Sequence, residues 1–277
     1  MRMGGRLYFN PPKKGGKTLF NEQSIISKWI SDMYDQYVTD TKDVEFAFSV
    51  IGSTPKRILE IACGSGRFLV PMAKAGHNVT GLDFDEYIMS KIADKVVGLD
   101  NITWRKADVI KDDWGNGFDV VLLAGNILYN IITDMDYKKA QQLLIQKAAN
   151  ALVSGGSIYI DYGYTLHPEK WFSKLGESTI WKGTDSDGNV GQMMLLNSTY
   201  DKNCGINKFL RRFELKLTDG NVIKEDIPSL KHFATLDQIY SWLSTAGFVI
   251  EQEYGDYNRN SISENTHRAI IWAKKYN

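Results

Sequence analysis

Between residues 57 and 162 short apolar runs alternate with helix-forming stretches, and this alternation constrains the fold more than any other feature of the chain. The apolar runs are RILEIA (57–62), NVTGLD (78–83), NITWRKAD (101–108), FDVVLLAG (118–125) and SIYIDY (157–162). The stretches between them read as helices. RFLVPMAKAG (67–76) is closed by Gly76, EYIMSKIADKV (86–96) has Asp85 as its N-cap, and YKKAQQLLIQKAANALV (137–153) ends at Gly155-Gly156. Pro71 falls near the first turn of its helix, where its missing N–H costs little. Short apolar strands joined by helical crossovers predict a doubly wound α/β domain, a parallel sheet covered on both faces.

The flanks follow other patterns. Residues 1–20 contain NPPKKGGK and read as a flexible N-terminal arm. Residues 21–56 read as a helical lid, with Ile25, Ile26, Trp29, Ile30, Met33, Tyr34 and Tyr37 at helical spacing and GSTP (52–55) as the breaker. After Tyr164, QMMLLNSTYD, INKFLRRFELKL and NVIKEDIPS are strand-like pieces separated by DKNCG and TDGN. Residues 177–232 are therefore expected to be an antiparallel ribbon inserted into the α/β domain. The α/β domain then comprises 57–176 and 233–277, resuming with the helix TLDQIYSWLSTAG (235–247) and two closing strands.

Composition excludes several classes. Hydrophobic residues make up 43% and charged residues 24%, enough for a real core. The formal charge is zero, so no basic footprint points to nucleic acid or to an anionic membrane. No apolar run has the length of a membrane span or of a signal-peptide core. Two cysteines make no disulfide framework, and a cytoplasmic setting is expected. The four histidines (77, 167, 232, 267) show no ligand spacing, so no metal is expected.

Ligands of an open α/β sheet sit at the carboxyl ends of its strands. The first strand ends in Glu60-Ile-Ala-Cys-Gly64-Ser-Gly66, where two glycines permit a tight turn and close backbone approach to a ligand. The second ends in Asp83, an acidic side chain suited to both hydroxyls of a ribose. A dinucleotide site would want a third glycine, and Leu69 stands there.

With LEIACGSG, the Asp83 strand end, KAD (106–108), FDVVLLAGN (118–126) and LVSGGSIYID (152–161) in that order, the chain resembles class I S-adenosylmethionine-dependent methyltransferases over about half its length. The resemblance implies a seven-stranded sheet with its last strand antiparallel. It also implies S-adenosylmethionine as donor and S-adenosylhomocysteine as product. By the same resemblance Glu60 and the backbone from Ala62 through Gly64 and Ser65 to Gly66 hold the methionine end, and Asp83 holds the ribose. Phe84 flanks the adenine, Asp108 and Val109 read its edge, and Ala124 lies beside the sulfonium.

Within the family the layout is most similar to the glycine and sarcosine N-methyltransferase group. YDQYVTDT (34–41) resembles its aromatic N-terminal segment, and AGN (124–126) its substrate-facing LGN. Three departures stand out. Gly163 occupies the place of the arginine that clamps a substrate carboxylate, Val44 the place of a donor-binding arginine, and Ile127 that of a serine. Arg211 or Arg212 could compensate for the first, but only one of two adjacent strand residues can face a site.

The expected acceptor site is built from these segments, with the inserted ribbon of residues 177–232, which falls where that group carries its insertion, covering it. Asn126, Tyr37 and His232 are its candidate catalytic residues, and Tyr34, Tyr129, Tyr162, Tyr164, Trp181 and Arg211 its candidate walls. Each aromatic has core packing as its alternative role. The expected reaction is methyl transfer to a small-molecule amine, because a neutral amine needs only its lone pair whereas a hydroxyl needs a base. His232 and Asp161 are the candidates for such a base. Two alternatives stay open: an O-methyltransferase acting on a sugar or natural-product hydroxyl, and a non-catalytic donor-binding protein. A homo-oligomer built through the first twenty residues also stays open.

Overall fold

The computed structural model describes residues 17–173 and 177–276. The chain runs α1 (Lys17–Tyr37), α2 (Lys42–Ile51), β1 (Arg57–Ile61), α3 (Leu69–Lys74), β2 (Asn78–Asp83), α4 (Glu86–Ser90), a short 3-10 turn (Ala93–Lys95) and β3 (Ile102–Lys106). Then follow β4 (Phe118–Leu123), α5 (Ile127–Asn130), α6 (Tyr137–Ala151), β5 (Leu152–Tyr162) and α7 (Pro168–Ser173). The last elements are β6 (Ser178–Thr184), β7 (Val190–Asp201), β8 (Ile206–Lys216), β9 (Val222–His232), α8 (Leu236–Thr245), β10 (Phe248–Tyr254) and β11 (Ala269–Lys275).

Two compact units divide this list. One holds residues 40–166 and 234–277, the other residues 1–39 and 167–233. The helical segment expected over 21–56 is thus two helices, one in each unit. The arm expected over 1–20 lies outside the described residues as far as residue 16. No helix among the described residues is long and apolar enough to cross a membrane.

The larger unit is a seven-stranded sheet in the order β10-β11-β5-β4-β1-β2-β3. Pairing is parallel from β5 to β3, while β11 runs antiparallel to both β5 and β10. This is the mostly parallel, Rossmann-like sheet of the methyltransferase fold. Its central strands are buried on both faces, which is why Ile58, Leu59 and Ile61 on β1 and Val120 to Leu123 on β4 read as unbroken apolar runs. The order reverses between β1 and β4, so a crevice opens at the carboxyl ends of those two strands.

Three boundaries differ from expectation, the first being the helix expected over 86–96, which is α4 as far as Ser90 and then the 3-10 turn at Ala93–Lys95. Residues 62–68 form the turn after β1, and α3 starts only at Leu69. Strand β5 begins at Leu152, inside the expected helix, because α6 ends at Ala151, where Lys275 Nζ donates to the carbonyls of Ala149 (2.7 Å) and Leu152 (3.2 Å). Gly156 allows the close approach that follows, since a Cβ there would lie 3.2 Å from the Asp119 carbonyl of β4.

The smaller unit is a four-stranded antiparallel sheet, β6-β7-β8-β9, with α1 on one face. Gly183 and Gly191 are paired across β6 and β7, and there the helix comes close: a Cβ on Gly183 would meet Met33 Sδ at 2.7 Å, and one on Gly191 would meet the Trp29 ring at 3.0 Å. The expected ribbon had three named strands. The fourth, β6, has the sequence STIWKGT, whose polar and glycine-containing text carries no strand periodicity. Pro228 is accommodated because β9 is an edge.

Candidate active site

The turn after β1 is built for close backbone approach. Ala62, Gly64 and Gly66 all take positive φ (61°, 53° and 81°). At Gly66 the conformation and the space agree, since a Cβ would lie 2.8 Å from Val70 Cγ2. Cys63 is buried with its sulfur against Gly81, where a Cβ would be 2.7 Å from Sγ, so this thiol is packing rather than a nucleophile. Lys95 Nζ donates to the Ser65 carbonyl at 2.9 Å and holds the turn from outside.

Asp83, at the end of β2, is fully buried. One carboxylate oxygen accepts from the Gly64 amide at 2.7 Å and the other from the Asp85 amide at 3.1 Å. It therefore clamps the glycine turn to the end of β2. Glu60, at the end of β1, is also buried. Next to Asp83, Phe84 is 40% exposed, an open aromatic face with Lys106 Nζ 5.6 Å from its centroid.

Asp108 and Val109 follow β3. Asp108 Oδ1 accepts from the amides of Ile110 (3.0 Å) and Lys111 (3.3 Å), and Lys111 Nζ pairs with its Oδ2 at 3.1 Å. The Val109 carbonyl accepts from Trp114 Nε1 at 2.9 Å. Lys147 of α6 braces the same loop. Its Nζ donates to the carbonyls of Ile110 (3.1 Å) and Asp112 (2.6 Å) and lies 5.3 Å from the Trp114 ring centroid.

At the end of β4, Ala124 is buried, and Gly125 (φ 61°) and Asn126 (φ 62°) both take the left-handed conformation. Asparagine tolerates this region better than most side chains. Asn126 Oδ1 accepts from the Gly163 amide at 3.1 Å. A Cβ on Gly163 would lie 3.2 Å from Asn126 Nδ2. The glycine found where the resembling family has an arginine is thus the surface on which the Asn126 amide rests.

Asp161, at the end of β5, is buried with both oxygens engaged. Arg268 forms an ion pair with Oδ1, and the Tyr257 hydroxyl donates to Oδ2 at 2.8 Å. Burial first, then the neighbouring carboxylate, pushes the Tyr257 hydroxyl far above the usual phenol range. A second ion pair ties the glycine turn to the entry of α2. Arg67 pairs with Asp43, and its Nη1 also reaches the Asp40 carbonyl at 3.2 Å.

The structure brings Glu60, the 62–66 turn, Asp83, Phe84, Asp108, Val109, Ala124 and Asn126 to the carboxyl ends of β1 to β4, all in the larger unit. Tyr129, Tyr162 and Tyr164 belong to that unit as well. Tyr129 follows Asn126 in α5. Tyr162 is fully buried and its hydroxyl is spent on Ala234, accepting from that amide at 2.8 Å. Tyr164 is buried, its amide donating to the His267 carbonyl at 3.3 Å.

Tyr34, Tyr37, Trp181, Arg211 and His232 belong to the smaller unit. Tyr34 and Tyr37 both pack on Trp181, each at 6.4 Å between centroids, and the Tyr37 hydroxyl donates to the Lys182 carbonyl at 2.6 Å. His232 is buried at the end of β9, over Gly205. Strand alternation separates the adjacent arginines: Arg211 is buried, while Arg212 pairs with Asp226 by two 2.7 Å hydrogen bonds on the other face.

Sequence reasoning missed Asp43, Arg67, Lys147, Tyr257 and Arg268. A lone lysine on a helix or an arginine before a closing strand carries no spacing signal, since each acts on a partner distant in sequence.

The fit to S-adenosylmethionine rests on the positive-φ glycine turn, the open face of Phe84 and the acidic strand ends. Comparison with known proteins agrees. Residues 58–156 match a family described as a methyltransferase domain. A protein of Geobacillus sp. (strain WCH70) named as a methyltransferase is 22% identical over 223 residues, covering 79% of this chain and 85% of that one. A sugar N-methyltransferase from Streptoalloteichus sp. has the same fold, with a TM-score of 0.67 at 14% identity, covering 100% of this chain and 99% of that one. So has an amino pentose methyltransferase from Micromonospora echinaspora, solved with S-adenosylmethionine bound, with a TM-score of 0.58 at 14% identity and 98% coverage of each chain. The chain is an S-adenosylmethionine-dependent methyltransferase of class I fold.

Proposed function

We propose that this S-adenosylmethionine-dependent methyltransferase transfers its methyl group to an amine nitrogen of a small molecule. The observation that carries the reading is the state of Asp161. The carboxylate nearest Asn126 along the strand ends is spent on Arg268 and Tyr257, so it is a structural anion rather than a free base. An amine acceptor suits such a site, because its lone pair attacks without help once aligned. The two neighbours described above, named for transfer to a sugar nitrogen and to an amino pentose, support the same class.

The bound donor supplies an activated methyl on a sulfonium. The protein's part is alignment. The 62–66 turn, held by Asp83, sets the backbone against the methionine end, and Phe84 offers its face to the adenine. Asn126 spends Oδ1 on Gly163 and keeps Nδ2 to donate to the acceptor, fixing it near the methyl carbon. Tyr129 lies one turn along α5, as a wall of the same region.

The test is donor turnover against amino sugars, amino acids and other small amines, each beside its hydroxyl analogue. An amine should turn over while its hydroxyl analogue stays silent; the reverse preference would sink the reading. Glycine and sarcosine are expected to be silent, since Gly163 offers no carboxylate clamp. Asn126→Ala should lower the rate about tenfold, ~1.4 kcal/mol of transition-state stabilisation. A rate within about twofold of wild type would remove Asn126 from the mechanism.

A further inference from the structure

The connection between β10 and β11 (255–268) bears on the donor turn through a helix rather than by contact. Its base rests on the carboxyl end of β5. There the Tyr257 hydroxyl donates to Asp161 Oδ2 at 2.8 Å, Arg268 pairs with Oδ1, and the Arg268 guanidinium lies 4.6 Å from the Tyr257 ring centroid. Its tip is closed by Asp256. One oxygen of that carboxylate accepts from the amides of Asn258 (2.8 Å) and Asn260 (3.1 Å), and the other from Asn260 Nδ2 (2.7 Å). The Gly255 amide completes the closure, donating to the Asn260 carbonyl at 2.7 Å. Between the two asparagines Arg259 takes φ 66°, the left-handed region that a long side chain rarely enters.

Among the described residues, each contact of the Arg259 guanidinium goes to α2 or to a tyrosine packed on α2. Nη2 donates to Ser49 Oγ at 3.0 Å and lies 3.4 Å from the Ser49 carbonyl, while Nη1 donates to the Tyr254 hydroxyl at 2.9 Å. Cζ is 5.5 Å from the Phe46 ring centroid and 5.3 Å from that of Tyr254. Phe46 is buried, with Tyr254 edge-on at 5.4 Å and Tyr257 at 5.6 Å. The loop thus grips the middle and the last turn of α2. The first turn carries Asp43, which pairs with Arg67, the residue after Gly66. Asp43 and Ser49 are roughly 9 Å apart along a stiff helix, so a hold on Ser49 and Phe46 fixes where Asp43 stands. An ion pair restrains one partner only when the other is already held.

We propose that Arg259 is a positioning residue for the methyl donor. By gripping α2 it keeps Asp43 on Arg67, and so keeps the 62–66 turn in the form that receives the donor. The proposal rests on the reading of that turn as part of the donor site and is independent of the acceptor.

The test is calorimetric titration of the full chain with S-adenosylhomocysteine, at a temperature where every variant is folded. Arg259→Gly removes the side chain at a backbone conformation glycine accepts, and should weaken binding about three- to tenfold. Arg259→Lys, which keeps a cation for Phe46, should lose less. In an Asp43→Asn background the Arg259→Gly change should cost under about twofold, because the connection it acts through is already cut. Hydrogen exchange gives a readout that needs no second variant: the amides of 62–66 should exchange faster in Arg259→Gly, while those of β7 and β8 keep their wild-type rates. A merely structural arginine would lower the unfolding temperature and leave the dissociation constant unchanged. That result would overturn the proposal, and so would an undiminished loss in the Asp43→Asn background. Protection of the 62–66 amides by S-adenosylhomocysteine in the wild type tests the turn itself. Its absence would overturn both readings, whereas protection without an Arg259 effect would overturn this one alone.

Discussion

At the scale of single residues, the site is shaped by small groups whose reason lies in a neighbour. Gly163 is the clearest. Its text alone shows a missing arginine, while the folded chain shows an Asn126 amide bonded to its N–H and resting on its Cα. A Cβ at 3.2 Å from Nδ2 would push that amide aside. Gly163→Ala is therefore expected to lower methyl-transfer turnover several-fold while leaving the dissociation constant of S-adenosylhomocysteine unchanged, measured by calorimetry. Equal losses in both would place Gly163 in donor binding instead. Asp83 teaches the same lesson. Its position at a strand end was legible, but its engagement of two backbone amides was not, because the Gly64 turn it holds is nineteen residues away in sequence.

At the scale of elements, strand ends were legible and their braces were not. The period and composition of β1, β2, β4 and β5 reflect burial on both faces, so apolar runs mark them reliably. Strand β6 was missed because glycine and polar residues occupy the places where α1 and the solvent meet it. The 108–114 loop depends on Lys147, one charged residue on a long helix whose pattern gives it no distinction. On the expectation that Asp108 and Val109 read the adenine edge, removing that brace should loosen donor binding. Lys147→Met is expected to weaken S-adenosylhomocysteine binding about three- to tenfold, or ~0.7–1.4 kcal/mol, with faster amide exchange confined to 108–114. Unchanged affinity alongside unchanged exchange would show that the loop holds itself.

At the scale of the whole molecule, stability should carry a pH signature from His77. The ring is buried beside β1, where Nδ1 accepts from the Lys56 amide at 3.2 Å. Burial first, then the charge of Lys56, lowers its pKa below the ordinary value. Below about 6.5 the unfolded chain therefore binds more protons than the folded one at this site. Stability is full above that pH and declines as the pH falls toward the depressed folded value. The urea midpoint should drop between pH values of about 7.5 and 5.5, and His77→Gln should flatten that slope. An identical slope in the variant would assign the pH dependence to other groups.

The sequence by itself determined the α/β sheet and its glycine turn, because those depend on local periodicity and on residues adjacent in the chain, and the family resemblance those residues carry pointed to the class of donor. It also located the antiparallel segment and left the acceptor unnamed. The tertiary structure decided which of Arg211 and Arg212 is buried, what occupies Asp161, and why residue 163 has no side chain. These are contacts between residues far apart in the chain, formed only when strands come into register, so no local pattern announces them.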